Sequence, residues 1–193
     1  IPLQWTTAVE KYTERKLLDH GIIPWQISRT YQKLVNAFTA KDATTIIRYS
    51  ADLGHYIADA HVPLHTTSNY NGQQTDQIGI HAFWETRIPE MFFKEYNLYI
   101  GPARYIDNPL KEAWKIVKSS NSLVDSVLSI EKNLAQHYRP AEIKSYIVRN
   151  NQLTLTYSDP YTIAYNSALN GMVERRFKAA IHAVASFWYS AWI

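Results

Sequence analysis

A chain of 193 residues with 46% hydrophobic and 19% charged content is long enough to bury the core of one domain and lacks the composition of a disordered segment. Its formal net charge of +3, from 20 Lys and Arg spread along the chain against 17 Asp and Glu, is too small an excess to mark a nucleic-acid footprint. No cysteine is present, which excludes disulfides and thiolate chemistry.

The periodicity is helical almost throughout. Thr7 and Glu10 have the spacing of a capping box, predicting a helix that ends near His20-Gly21. Pro24 suits the first turn of a second helix, whose Ile27, Tyr31, Leu34, Val35 and Phe38 repeat as one buried face. Asp42 is placed to cap a third helix carrying His55 and Asp59. Pro63 ends it, because proline lacks an N–H and clashes one turn back, so His65 falls just beyond the helix end. Asn69 to Gln77, rich in Asn, Gly, Gln and Thr, reads as a surface loop. A short helix from about Gly79 carries His81 and Glu85 and is interrupted at Pro89.

Further along, Ile100-Gly101-Pro102 is a turn, and Asn108-Pro109 opens a long helix toward Gln136. Along it Leu110, Trp114, Val117, Val124, Val127, Leu128 and Leu134 read as core. Residues 146–149 and 153–156, with the Asn-rich 150–152 as their turn, predict one small peripheral hairpin. Asp159-Pro160 starts a last helix expected to reach Ile193, with Phe187, Trp188, Tyr189 and Trp192 as a core stripe. The fourteen Tyr and six Trp also suit the apolar walls of a cleft. No repeat or linker divides the chain, and no apolar run reaches the roughly eighteen residues of a transmembrane helix. The expected fold is mainly α, a single multi-helix domain over residues 1–193 with the hairpin at its edge.

Metal-type side chains concentrate between positions 55 and 85, where His55, Asp59, His65, His81 and Glu85 form H-x3-D-x5-H, a loop, then H-x3-E. A spacing of four puts two side chains on adjacent turns of one helix face, with Cβ atoms about 6 Å apart, so each pair can converge on one ion. A lone pair of this kind is an ordinary surface partnership. Two pairs joined by a histidine behind a proline point to metal, against the alternatives of a buried polar network or a solvated face. His20 and His137 sit near helix C-termini, where the dipole favours a partly cationic ring. His182 reads as a hydrogen-bonded core residue. His61 is rotated off the Asp59 face, with a role in supporting a ligand left open.

The run Leu53-Gly54-His55-Tyr56-Ile57-Ala58-Asp59-Ala60-His61-Val62-Pro63-Leu64-His65 resembles the H-[YF]-x-x-D-x-x-x-P-[LM]-H signature of the zinc-dependent phospholipase C and single-strand-specific nuclease superfamily. His81-Ala82-Phe83-Trp84-Glu85 resembles its second signature, H-x3-[DE]. Members are mostly helical, hold three zinc ions at the bottom of a cleft and hydrolyse phosphodiesters there. The resemblance implies that His55 and Asp59 belong to a first zinc site, with Asp59 bridging to a third ion and positioning the attacking hydroxide. His65, His81 and Glu85 would form the second site. Glutamate at position 85 leans toward the phospholipase branch, since the nucleases usually place aspartate there. A phospholipid substrate is therefore expected, with single-stranded nucleic acid as the alternative and a noncatalytic helical module as a further class. An exported location is implied in the same way, although Ile1-Pro2-Leu3-Gln4-Trp5 is not a signal sequence.

The family's remaining ligands, beginning with an N-terminal tryptophan that binds through its own amino group and carbonyl, lie upstream of the matched signature. This chain begins with Ile1 and has only His20 ahead of His55. Asp19 and His20, as neighbours on a helix, point about 100° apart and cannot readily share an ion. The expectation is that an N-terminal segment is missing. One or two zinc ions are then expected, with the His65/His81/Glu85 site complete and the His55/Asp59 site weak.

Overall fold

The computed structural model, which describes residues 1–149 and 151–193, turns the first helical stretch into two helices, α1 (Trp5–Tyr12) and α2 (Glu14–His20). They part at Thr13, whose φ of 67° lies in the left-handed region and whose hydroxyl accepts the Lys16 N–H; neither continues an α-helix. The Thr7/Glu10 capping box does not form, because α1 already starts at Trp5 behind Gln4. Trp5 packs edge-on against Trp25 with centroids 5.1 Å apart, and that burial outweighs a cap worth about 1 kcal/mol.

The next two helices follow the sequence closely. α3 (Ile23–Ala40) has Pro24 in its first turn, and α4 (Ala43–Ala60) is capped by Asp42, whose carboxylate accepts the Thr45 N–H at 3.1 Å. Ile27 and Leu34 of α3, with Leu53 and Ile57 of α4, are fully buried. Around them pack α7 (Pro109–Asn121), through Ala113 and Ile116, and α11 (Met172–Trp192), through Phe187 and Ala191. A second apolar cluster collects Leu64, Ile80, Phe83, Trp84 and Ile88 with Val127, Tyr157, Tyr161, Tyr165 and Val173. It supports the turns between positions 63 and 92 that carry the candidate ligands.

Both helices expected to be long are divided. α7 gives way to α8 (Val124–Ala135) after the run Ser119-Ser120-Asn121-Ser122. Ser122 Oγ donates to the Ser119 carbonyl at 2.9 Å and Asn121 Nδ2 to the Thr66 carbonyl at 2.9 Å, so these side chains compete for backbone bonds and favour a break. Of the expected core positions here, Trp114, Val124 and Val127 are buried, while Leu110, Val117, Leu128 and Leu134 are partly so. α10 (Asp159–Ala168) is separated from α11 by Asn170 and Gly171, at φ 47° and 71°. Phe187 alone of the expected aromatic stripe is buried; Trp188, Tyr189 and Trp192 are 41%, 39% and 67% exposed. Successive helical residues turn by about 100°, so positions 187 to 189 cannot share one face.

Pro89 does not interrupt its helix. The chain passes from α5 (Ile80–Ala82) through a π-turn at Phe83–Arg87 into α6 (Ile88–Phe92). Beyond α8, a single turn α9 (Pro140–Ile143) leads into the hairpin of β1 (Lys144–Arg149) and β2 (Gln152–Tyr157), antiparallel and in register Tyr146 to Leu155 and Val148 to Leu153. Asn150, expected in its turn, lies outside the described residues. The fold is mainly helical with this one small hairpin, and among the described residues no helix is long and apolar enough to cross a membrane.

The end of α4 is held by a three-helix clamp. Arg176 of α11 donates from Nε to the His61 carbonyl at 2.8 Å and from Nη2 to Ser120 Oγ at 2.6 Å, while Ser120 Oγ donates to the Ala60 carbonyl at 2.5 Å. Ser120 is fully buried, so removing its hydroxyl strands a guanidinium donor and a carbonyl. Ser120→Ala is expected to cost about 2 kcal/mol of stability, read as a lower denaturant midpoint; an unchanged midpoint would show that the clamp contributes nothing.

Candidate metal centre

Pro63 opens a 3₁₀ turn, Pro63–Thr66, immediately after α4. The turn is pinned by buried Leu64, by Thr66 Oγ1 donating to the Pro63 carbonyl at 2.6 Å and by the Asn121 bond to Thr66. His65 is thereby directed at Glu85, with Nε2 3.3 Å from Oε2, and not at the His55/Asp59 pair. His81 Nε2 approaches the same Oε2 at 2.8 Å, and the two imidazole centroids are 4.8 Å apart. One ligand atom from each of His65, His81 and Glu85 lies within 4.8 Å of the other two.

Two irregular segments bring His81 and Glu85 to that point. Pro89 has no N–H with which to close an α-turn on the Glu85 carbonyl, and its ring crowds that oxygen. The wider π-turn, in which Ile88 N–H reaches back to the Phe83 carbonyl, accommodates both. Ahead of it the expected surface loop is a half-buried knot. Asn69 and Gln77 are 5% and 7% exposed, Asn69 Oδ1 accepts the Gln74 N–H at 2.7 Å, and Gln77 Nε2 donates to the buried Glu131 carboxylate of α8 at 2.5 Å. Gly72 is required here, since a Cβ on it would lie 2.3 Å from the Gln77 carbonyl oxygen.

The loop also fixes the chemistry of His81. Its Nδ1 lies 3.1 Å from the Tyr70 carbonyl, which only accepts, so Nδ1 carries a hydrogen. A hydrogen bond from Nε2 to Glu85 then needs a second proton on the ring. In the neutral ring, Nε2 instead presents its lone pair toward a carboxylate, an arrangement that a cation relieves. The groups polarise one another accordingly: hydrogen bonds from His65 and His81 pull the Glu85 carboxyl down to about 2, and the Glu85 hydrogen bond raises the His81 pKa. Two imidazole nitrogens and a carboxylate oxygen suit zinc.

His55 and Asp59 face each other across one turn of α4 at 3.4 Å, with the His55 side chain 68% exposed. They do not join the cluster, but Asp59 is close enough that its charge adds to the rise in the His81 pKa. Asp59 and Glu85 line one cavity of about 560 Å³. Its other wall is α11, where Phe177, Ile181, Val184 and Trp188 recur at helical spacing. That spacing was available in the sequence as a signal for a second face of this helix, distinct from buried Phe187.

Three further groups stand in the cavity wall. His61 is 4% exposed, donates from Nδ1 to the Ile57 carbonyl at 2.7 Å and is pushed down to about 4 by burial, so it is neutral at physiological pH. Among the described residues Arg176 hydrogen-bonds only neutral oxygens, and burial lowers its pKa. The Trp84 indole N–H is buried without a partner among the described residues. Of the other histidines, His20 ends α2, His137 follows α8, and His182 is half-buried with Nε2 3.1 Å from the Pro102 carbonyl.

No known protein family, curated protein or solved structure matches the chain, so the reading of this centre rests on its own residues.

Zinc titrated into the protein is expected to fill one tight site per chain. Glu85→Gln should weaken it more than about 100-fold and His55→Ala less than about threefold, since a lost ligand costs more than a lost neighbour. Affinity should fall as pH is lowered, because the raised His81 pKa lets protons compete sooner than they would at an ordinary histidine. Calorimetry at several pH values measures all three. Loss of the tight site in His55→Ala would reassign it.

Proposed function

We propose that the chain is a zinc-dependent phosphodiester hydrolase of phospholipase C type, with His65, His81 and Glu85 as the metal ligands and Asp59 as the carboxylate that handles the attacking water. What supports this reading is a three-ligand cluster whose Glu85 lines one cleft together with a second carboxylate, Asp59, and an apolar wall. The chemistry that zinc supplies when bound is positive charge against the phosphate oxygens and acidification of water in its shell.

The chain's own residues supply the rest. Asp59, outside the three-ligand cluster but lining the same cleft as Glu85, orients the water and accepts its proton, a contribution typically worth about 10²–10⁴ in rate. Arg176 has no carboxylate partner among the described residues, so its charge is not cancelled locally and favours an anionic group in the cavity. Phe177, Ile181, Val184 and Trp188 exclude water and fit an apolar leaving group such as diacylglycerol. A single-stranded nucleic acid would instead call for a basic track with base-stacking rings along it, and among the described residues Arg176 is the one Lys or Arg lining this cavity.

The test is hydrolysis of a short-chain phosphatidylcholine beside a single-stranded oligonucleotide by the zinc-loaded protein. Lipid turnover is expected, falling at least about 100-fold in Asp59→Asn with the zinc stoichiometry of the triad retained. Equal turnover in the variant removes Asp59 from the mechanism, and cleavage of the oligonucleotide alone assigns the nuclease chemistry instead.

A further inference from the structure

The hairpin has its apolar residues on the outside. Strand partners lie on the same side of a sheet and residues alternate along each strand, so Tyr146, Val148, Leu153 and Leu155 form one continuous face. They are 69%, 73%, 74% and 53% exposed. At the base this face is anchored by buried Tyr157, stacked on Phe83, and beyond it the strands run out past the core. The alternate residues Ser145, Ile147, Thr154 and Thr156 are the half-buried ones. Between positions 144 and 157 there is no acidic residue. The only charge on the outer part of the strands, Arg149, is paired with Glu90.

We infer that this face inserts into the surface of a phospholipid bilayer. Four side chains are far fewer than the roughly 20–30 residues per partner of a standard protein interface, so a stable second copy is not supported by this patch alone. A lipid surface needs no matching shape: aliphatic side chains enter the acyl boundary and a tyrosine sits at headgroup level. Charge plays a small part. Arg149 with Glu90, Arg87 with Asp159 and Arg139 with Glu142 cancel in pairs near the hairpin. At its base, exposed Lys132 and Lys144 face Asp76 and the buried Glu131. The attraction is therefore mainly apolar and resists salt. It does not depend on the metal centre, and it is read without turnover.

The experiment is co-sedimentation of the protein with vesicles of phosphatidylcholine alone, and of phosphatidylcholine and phosphatidylserine in equal parts. The expected result is binding to both that persists at high salt and falls about tenfold or more in the double variant Val148→Ser/Leu153→Ser. Circular dichroism checks that the variant keeps its helices. Since the chain has no cysteine, Leu153→Cys carrying an environment-sensitive dye gives a second readout, and its emission should shift to the blue on vesicles. Absence of binding, equal binding by the double variant, or binding only to the anionic vesicles and lost in salt would each overturn the inference. So would a dimer in sedimentation velocity that the double variant dissociates, which would give the face to a second copy of the chain.

Discussion

Glu85 holds two imidazoles at a single carboxylate oxygen, and the irregular backbone around it is what lets them converge there. A helix offers His81 and Glu85 to each other for little, since residues four apart already face one way. Bringing His65 to the same oxygen is harder. It requires α4 to stop within a few residues of Asp59, and the clamp of Arg176, Ser120 and the carbonyls of Ala60 and His61 secures that stop from two other helices. The π-turn over Phe83–Arg87 and the knotted loop before it complete the set, one accommodating Pro89 and the other setting which His81 nitrogen is free.

The support for these turns is unusually polar for a protein interior. Gln77, Glu131 and Tyr161 form a buried chain in which the tyrosine hydroxyl donates to Glu131 Oε1 at 2.7 Å and the amide donates to Oε2. Such a network is costly when incomplete and directional when complete. It ties the loop that orients His81 to α8 and α10, so the ligand geometry is referred to the body of the fold and not to a free surface segment.

What was legible in the sequence was local. Asp42 as a cap, Pro24 in a first turn, Pro63 as a stop and the apolar face of α3 depend on neighbours within a few residues, and the structure has them where the spacing predicts. The spacing of His55, Asp59, His65, His81 and Glu85 marked the region, and the three that converge include both sides of the loop. The errors have long-range or competing causes. Trp25, twenty positions away, moves the start of α1 to Trp5; a run of serines divides α7 from α8; and left-handed Asn170 and Gly171 divide α10 from α11. Arg176 and His61 were illegible as wall residues because their placement depends on which faces of α4 and α11 meet.

Phe83 and Tyr157 lie nearly parallel, 6° apart in plane, and Arg87 Nε donates to the Tyr157 carbonyl at 3.3 Å. Both contacts come from the π-turn, one on each side of Glu85. The strand pair is thus braced at its root by the very residues that frame the carboxylate. A tilt of the hairpin at its root would therefore have to break the ring stack or carry the turn with it, which couples the exposed apolar strands mechanically to the backbone on either side of Glu85.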